Sequence, residues 1–241
     1  RSHDDSMVAR VHAAAAAGYS GVGIYLGAWA SLRDEPARVD ELEAALDETG
    51  LVIANIETLR GWASPDRADE AGLRAEALAF EIADRFGCRY AQAIGDYHGT
   101  IAEAASGLAA LCDRAAEHGL LVGIEAVPSM TNIDNLTLAA EIVAGADRPN
   151  AGLCFDSWHL TRSTNDVAEI LAIDGTMVFA TQWNDGSIEA QIDDYYTDTL
   201  STRVPPGDGE FKLVEMVQAL DAIGCQAPIG LEVPSTELWA T

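Results

Sequence analysis

Two apolar stretches that each carry an acidic residue near their end decide the fold: LLVGIEAVP at residues 120–128 and GLCFDSWHL at residues 152–160. Both are short and almost continuously apolar, which is typical of strands buried on both faces in a parallel sheet covered by helices. A helical pattern at residues 136–144 lies between them. The order strand, helix, strand predicts a βα repeat in this part of the chain.

The same alternation continues in both directions along the sequence. We predict five further strands, at 21–26, 52–57, 90–94, 177–182 and 228–233, and six further helices, at 7–17, 36–49, 70–86, 101–118, 167–171 and 211–223. No change of composition marks a domain boundary, so we predict a single domain over residues 1–241.

Regular βα alternation of this length is typical of a (β/α)8 TIM barrel or of a doubly wound sheet. A doubly wound sheet would carry a glycine-rich phosphate-binding turn after its first strand. Here GYSGVG at residues 18–23 comes before a strand instead. We therefore predict an α/β (β/α)8 TIM barrel, and we expect the first strand and the last helix to be incomplete in this chain.

Charge and cysteine content narrow the possible partners. The chain has 14 basic and 39 acidic residues, for a formal net charge of −25, which repels nucleic acid and anionic membrane surfaces. No apolar stretch approaches the ~20 residues of a membrane span. The scattered cysteines contain no CxxC pair, and the polar start does not resemble a signal peptide. These features predict a cytoplasmic protein with reduced thiols that binds neither nucleic acid nor membrane.

Polar side chains at the ends of the predicted strands form a candidate metal site. In a barrel the active site lies at the carboxyl ends of the strands, and that position is taken by Glu125, Asp156, Gln182 and Glu232. A carboxylate inside an apolar run is costly to desolvate unless a cation, a salt bridge or a shared proton compensates. A divalent cation would satisfy all four residues, and their oxygen ligands suit Mg²⁺ or Mn²⁺ better than Zn²⁺.

Six segments together resemble the xylose isomerase-like TIM-barrel superfamily of sugar and sugar-phosphate isomerases and epimerases: AAAAAGYSGVGIYL (13–26), LLVGIEAVP, GLCFDSWHL, VFATQWNDG (178–186), RVPPGDGEF (203–211) and PIGLEVPS (228–235). The resemblance implies that the metal ligands of that family fall on Glu125, Asp156, Gln182 and Glu232. Gln182 departs from the family pattern, in which a histidine is usual, and this leaves the identity of the metal open.

The resemblance also implies roles around the metal. His159 would contact metal-bound water or substrate, and Arg203 would reach the oxygens of the substrate. The alternatives are a histidine bonded to backbone at a helix start and an arginine in a surface ion pair. Glu57 and Trp183 are further candidates for substrate binding, although packing in the core explains a tryptophan equally well.

Four functional hypotheses follow. The first is a divalent-metal-dependent sugar isomerase or epimerase, in which Glu125, Glu232 and His159 are catalytic and a proton is removed next to a metal-bound carbonyl to give an enediolate. The second is a metal-dependent dehydratase, a lyase of the keto-inositol or dehydroshikimate type that shares this first step. The third is a non-catalytic sugar-binding barrel. A DNA-repair endonuclease is disfavoured by the five histidines and the acidic charge. The expected partner is a small sugar or polyol, and the resemblance leaves a homo-oligomer open.

Overall fold

The computed structural model describes residues 5–63 and 70–239. Its seven strands are β1 (Gly21–Tyr25), β2 (Val52–Leu59), β3 (Tyr90–Ala93), β4 (Leu121–Glu125), β5 (Ala151–Asp156), β6 (Val178–Trp183) and β7 (Ile229–Leu231). All seven predicted strands are therefore present in the described part of the chain, and no end differs from its prediction by more than two residues.

The strands form one parallel sheet in the order of the chain, from β1 at one edge to β7 at the other. A doubly wound sheet reverses its strand order at a switch point, whereas a (β/α)8 barrel does not. The uninterrupted order confirms the prediction of an α/β barrel-type fold over the alternative.

Helices connect the strands. They are α1 (Asp5–Ala16), α2 (Leu26–Leu32), α3 (Pro36–Thr49), α4 (Glu70–Phe86), α5 (Ile101–Ala116), α6 (Leu136–Ala146), α7 (Ser157–Arg162), α8 (Ala168–Leu171), α9 (Tyr195–Ser201), α10 (Leu213–Ala222) and α11 (Thr236–Trp239). The longer helices agree with the sequence prediction, whereas α2, α7, α9 and α11 were not predicted. None of the helices in the described ranges is both long and apolar enough to cross a membrane.

Local sequence explains two of the unpredicted helices. The strand predicted for residues 21–26 stops at Tyr25, because Leu26 starts a helix whose Leu26, Trp29 and Leu32 are buried on one face. Helix α9 lies within a segment for which the sequence predicts a polar loop. The Asp194 side chain caps this helix by accepting a hydrogen bond from the Thr197 amide.

The register of the sheet brings the polar strand ends to one level. Glu125 pairs with Cys154, Asp156 pairs with Gln182, and Gln182 pairs in turn with Gly230. Glu232 follows directly after β7. The four predicted ligands therefore lie at the same carboxyl edge of the sheet.

Candidate metal centre

Three side chains from neighbouring elements form a compact buried cluster. Glu125 is the last residue of β4, Asp156 is the last residue of β5, and His159 lies in the first turn of α7. Each offers a carboxylate oxygen or ring nitrogen within 4.8 Å of the others, and all three residues are buried. The structure thus brings two of the four predicted ligands together with the predicted catalytic histidine.

Glu125 has one oxygen that is satisfied and one that is not. Its Oε2 accepts a hydrogen bond of 2.6 Å from Gln92 Nε2. Its Oε1 is buried and has no hydrogen-bond partner among the described residues, although His159 Nε2 lies 3.5 Å away. A buried carboxylate oxygen without a partner is costly, and a cation bound in the cluster would remove that cost.

Asp156 is held from two sides. Its Oδ1 accepts hydrogen bonds from the Trp158 amide at 2.7 Å and from Asn184 Nδ2 at 2.9 Å. Its Oδ2 accepts one from Arg203 Nη1 at 2.8 Å. Burial favours the protonated acid, but the charge of Arg203 outweighs it and lowers the pKa of Asp156 to about 2. Asp156 is therefore an anion at neutral pH.

Arg203 joins Asp156 to Glu232. Its Nη1 also lies 2.9 Å from Glu232 Oε2, while its Nε donates to the carbonyl of Thr199 at 2.9 Å. The arginine is 2% exposed, so the alternative of a surface ion pair is wrong, and the side chain lies inside the site. The Glu232 side chain is 22% exposed, which makes it more accessible than the side chains of Glu125 and Asp156. Partial burial, opposed by Arg203 and reinforced by repulsion from Asp156, raises the pKa of Glu232 to about 7.

Gln182 and Glu57 form a second part of the site. Gln182 Oε1 accepts from the Cys154 thiol at 3.3 Å, and Gln182 Nε2 donates to Glu57 Oε1 at 3.3 Å. The Asn55 amide also donates to Glu57 Oε1. Burial, followed by repulsion from Glu232, raises the pKa of Glu57 to about 8. The amide of Gln182 thus lies between a thiol and a carboxyl group, and its role as a ligand stays a prediction.

The indole of Trp183 is buried at the end of β6. Its Nε1 donates to Thr181 Oγ1 at 2.8 Å, and its ring packs against Phe155 with centroids 5.5 Å apart. These contacts describe packing in the core. Contact of Trp183 with a substrate stays a prediction.

The charges of the site fit a divalent cation. Four acidic residues lie at this end of the sheet, namely Glu57, Glu125, Asp156 and Glu232. In the part of the chain that the structure describes, one guanidinium, that of Arg203, forms ion pairs with Asp156 and Glu232. Burial, followed by repulsion from Asp156 and Glu232, raises the pKa of Glu125 well above its usual range. Burial also lowers the pKa of His159 to about 4, so the imidazole carries no compensating charge at pH 7. A cation beside Glu125 and Asp156 would supply the missing positive charge and favour the ionised form of these carboxyl groups.

The cluster also changes the argument about which metal would bind. The sequence favoured Mg²⁺ or Mn²⁺ because its four predicted ligands all offer oxygen. The structure places a ring nitrogen of His159 within 4.8 Å of carboxylate oxygens of Glu125 and Asp156. A mixed set of nitrogen and oxygen atoms also suits Zn²⁺ and other transition metals, so the residues fit a divalent metal without selecting one.

Three contacts of the site were not anticipated from the sequence. Gln92 supports Glu125 and Asn184 supports Asp156, as described above. The Tyr195 hydroxyl lies 2.6 Å from His159 Nδ1. This contact replaces the backbone hydrogen bond considered for the histidine. The capping residue Asp194 is the one signal that could have placed a helix, and with it Tyr195, in this loop.

Asp185, which follows the site residues of β6, organises the loop behind them. Its Oδ1 accepts from the Gly186 and Phe211 amides, and its Oδ2 accepts from the Gly207 amide, at 2.8 to 3.0 Å. These bonds hold the Gly207-Asp208-Gly209 turn against β6. Asp185 is therefore a structural residue of the loop that carries Arg203.

Comparison with known proteins agrees with the barrel-type fold. A family model described as xylose isomerase-like TIM barrel matches residues 11–241. The chain is 29% identical over 230 residues to a 3-dehydroshikimate dehydratase of Pseudomonas aeruginosa, a match that covers 93% of this chain and 35% of that protein. The chain thus spans about a third of the length of this relative.

Two solved structures show the same fold. One is a fusion protein of a xylose isomerase-like TIM barrel and a 4-hydroxyphenylpyruvate dioxygenase, with a TM-score of 0.82 and 24% identity over 94% of this chain and 37% of that one. The other is the IolI protein with a bound zinc atom, with a TM-score of 0.80 and 20% identity over 98% of this chain and 86% of that one. At these identities the likeness concerns the fold alone.

Proposed function

This chain belongs to the xylose isomerase-like TIM-barrel family, and we propose that it is a metal-dependent enzyme that removes a proton from the carbon next to a carbonyl group. The substrate class is a small polyhydroxylated carbonyl compound. The observation that carries the proposal is the buried cluster of Glu125, Asp156 and His159, in which Glu125 Oε1 has no partner among the described residues. A divalent cation bound there would polarise the carbonyl and stabilise the negative charge that proton removal leaves on its oxygen.

Glu232 is the best-placed base among the described residues. Its side chain is partly exposed, unlike that of Glu125, and can meet a substrate that enters the site. A pKa near 7 lets a carboxylate accept a proton and return it at neutral pH. Arg203, in contact with both Asp156 and Glu232, would keep the base oriented and bind substrate oxygens.

Within this class we favour dehydration. The curated relative is named a 3-dehydroshikimate dehydratase, and its match covers nearly all of this chain. In such a reaction Glu232 takes the proton from the carbon beside the carbonyl, and the electron pair of that C–H bond forms the new double bond. The hydroxyl group on the next carbon leaves as water with the proton that Glu232 took, while the His159 Nε2–H group donates a hydrogen bond to its oxygen. Delivery of that proton returns Glu232 to its starting carboxylate form.

Isomerisation or epimerisation is the second candidate, and a different observation favours it. Burial raises the pKa values of two glutamates, Glu125 on β4 and Glu232 after β7, and the pKa of Glu232 is about 7. One glutamate would remove the proton and the other would return it at the neighbouring carbon or on the opposite face. Each such group contributes about 10²- to 10⁴-fold in rate.

A reaction in D₂O separates these candidates. The purified chain is incubated with Mn²⁺, Mg²⁺ or Zn²⁺ and either 3-dehydroshikimate or a panel of ketoses, and the products are followed by mass spectrometry and NMR. Loss of water supports the dehydratase, and deuterium incorporation without loss of water supports the isomerase. Glu125→Gln and Glu232→Gln are the inactive controls. Metal-loaded protein that shows neither outcome with any substrate would contradict the proposal. The cytoplasmic location and a homo-oligomer stay predictions.

A further inference from the structure

The imidazole of His159 lies between two groups of opposite hydrogen-bonding capacity. On one side its Nδ1 is 2.6 Å from the hydroxyl oxygen of Tyr195, and the two rings are stacked with centroids 6.1 Å apart. On the other side its Nε2 is 3.5 Å from Glu125 Oε1 and 3.9 Å from Asp156 Oδ2. The two ring nitrogens therefore meet different chemistry.

A neutral imidazole has one N–H group and one lone pair, and its surroundings select which nitrogen carries the proton. An ionised carboxylate only accepts hydrogen bonds, whereas a phenol can donate one. Asp156, whose pKa is about 2, is the anion that faces Nε2. A proton on Nε2 points an N–H group toward this anion and leaves the Nδ1 lone pair for the Tyr195 hydroxyl. The opposite tautomer would turn a lone pair toward Asp156, which is electrostatically unfavourable.

Tyr195 is held in place by the loop that carries it. It is the first residue of α9, which Asp194 caps through the Thr197 amide. Within the same helix, the fully buried Asp198 accepts from Arg162 Nε at 3.1 Å and from the Gln191 amide at 3.2 Å. The position of the hydroxyl is thus set by a bonded network and not by the histidine alone.

We infer that Tyr195 is a positioning residue that keeps His159 in the Nε2–H tautomer, so that the imidazole donates a hydrogen bond into the site and is not a metal ligand. Metal binding then relies on the carboxylates and leaves His159 available to the substrate. The catalytic part of this inference rests on the proposed function, whereas the tautomer does not.

Nitrogen NMR of the histidine rings tests the tautomer without any substrate. Spectra of ¹⁵N-histidine-labelled protein are recorded metal-free and with diamagnetic Zn²⁺, and the His159→Gln variant assigns the His159 signals. We expect a protonated Nε2 and an unprotonated Nδ1 in both states. In Tyr195→Phe, which keeps the ring and loses the hydroxyl, the Nδ1 signal should shift and the two tautomers should mix. Tyr196→Phe is the matched control, because Tyr196 is exposed and next in sequence.

An unprotonated, zinc-shifted Nε2 in the wild type would overturn the inference, as would a Tyr195→Phe spectrum identical to that of the wild type. With an active substrate, Tyr195→Phe should lower kcat about tenfold and leave KM nearly unchanged, as expected for the loss of about one hydrogen bond. If no substrate is turned over, the proposed function fails while the NMR result still decides the tautomer.

Discussion

Arg203 Nη1 lies 2.8 Å from Asp156 Oδ2 inside the site, and both side chains are almost completely buried. The same nitrogen reaches Glu232, so one guanidinium connects the end of β5 to the residue that follows β7. Arg203 therefore has two roles that oppose each other. It stabilises the metal-free site, and its charge competes with a metal for the same carboxylates.

Arg203→Met should separate these roles. Breaking a buried ion pair leaves unpaired charge and costs about 3–5 kcal/mol, so the metal-free variant should unfold at a lower urea concentration. The increase in melting temperature on adding Mn²⁺ or Mg²⁺ should be larger than in the wild type, because the competing charge is gone. Arg85→Met is the control, since its exposed pair with Glu43 contributes about 1 kcal/mol or less. An unchanged or smaller metal response in Arg203→Met would contradict the competition.

The raised pKa of Glu57 predicts how the free energy of unfolding of the metal-free protein depends on pH. Its pKa is raised to about 8 from an ordinary value of 4.5, by burial first and by Glu232 second. Between these values the unfolded chain loses the proton while the folded chain keeps it, so the free energy of unfolding falls as pH rises. The slope from this group is at most about 1.4 kcal/mol per pH unit.

The Glu57→Gln variant lacks this titration and isolates it from other groups. We expect its free energy of unfolding, minus that of the wild type, to increase from about pH 5 to about pH 8. Urea titrations in the presence of a chelator measure this difference. A constant difference would show that Glu57 is already ionised in the folded protein at the lower pH.

Much of this fold could be predicted from the sequence because the strands are buried on both faces. A segment such as LLVGIEAVP indicates a buried strand because five or six successive residues are almost all apolar. Desolvation of a carboxylate in such a segment costs enough free energy to indicate a functional site. The short helices could not be predicted in the same way. Helix α9 has seven residues, fewer than two turns, so its apolar period is too short to recognise.

The contacts within the site depend on the path of the loops, which periodicity does not encode. The carboxylates of Glu125 and Asp156 were predicted from their own strands. The contact of His159 with Tyr195 joins residues 36 apart through the loop after β6. Asp194 indicates that a helix begins near Tyr195, but it does not indicate which residue that helix meets. The same holds for the contacts of Arg203 with Asp156 and Glu232. Its predicted contact with substrate oxygens stays a prediction.

The cysteines should differ in their reactivity with a thiol reagent. Cys88, Cys112 and Cys154 are buried and Cys225 is partly exposed. Burial raises the pKa of Cys112 to about 12, and it raises the pKa values of Cys88 and Cys154 too. Because the thiolate is the reactive form, we expect one thiol to react in the native protein and the remaining three only in denaturant. Cys225→Ser should abolish the native reaction, and a second fast thiol would contradict the buried positions.

The turn that precedes α10 should tolerate no side chain at Gly209. A Cβ there would overlap the Asp185 carboxylate and the backbone nitrogen of Gly186, two groups that already hold this turn against β6. Neither can move away freely, because Asp185 Oδ1 also accepts from the Phe211 amide at 2.9 Å. Overpacking of this kind costs about 1–3 kcal/mol, so Gly209→Ala should lower the free energy of unfolding by that amount.

Gly27→Ala provides the matched control, because a Cβ at Gly27 in α2 meets open space. Alanine favours a helix over glycine by at most about 1 kcal/mol, so this variant should be as stable as the wild type or slightly more stable. Urea unfolding of both variants measures the difference. The clash of a Cβ at Gly209 with Asp185 should also displace the loop that carries Arg203. We therefore expect Gly209→Ala to change the metal-induced shift in melting temperature and Gly27→Ala to leave it unchanged. Equal stability of the two variants would show that Asp185 does not hold the turn as described.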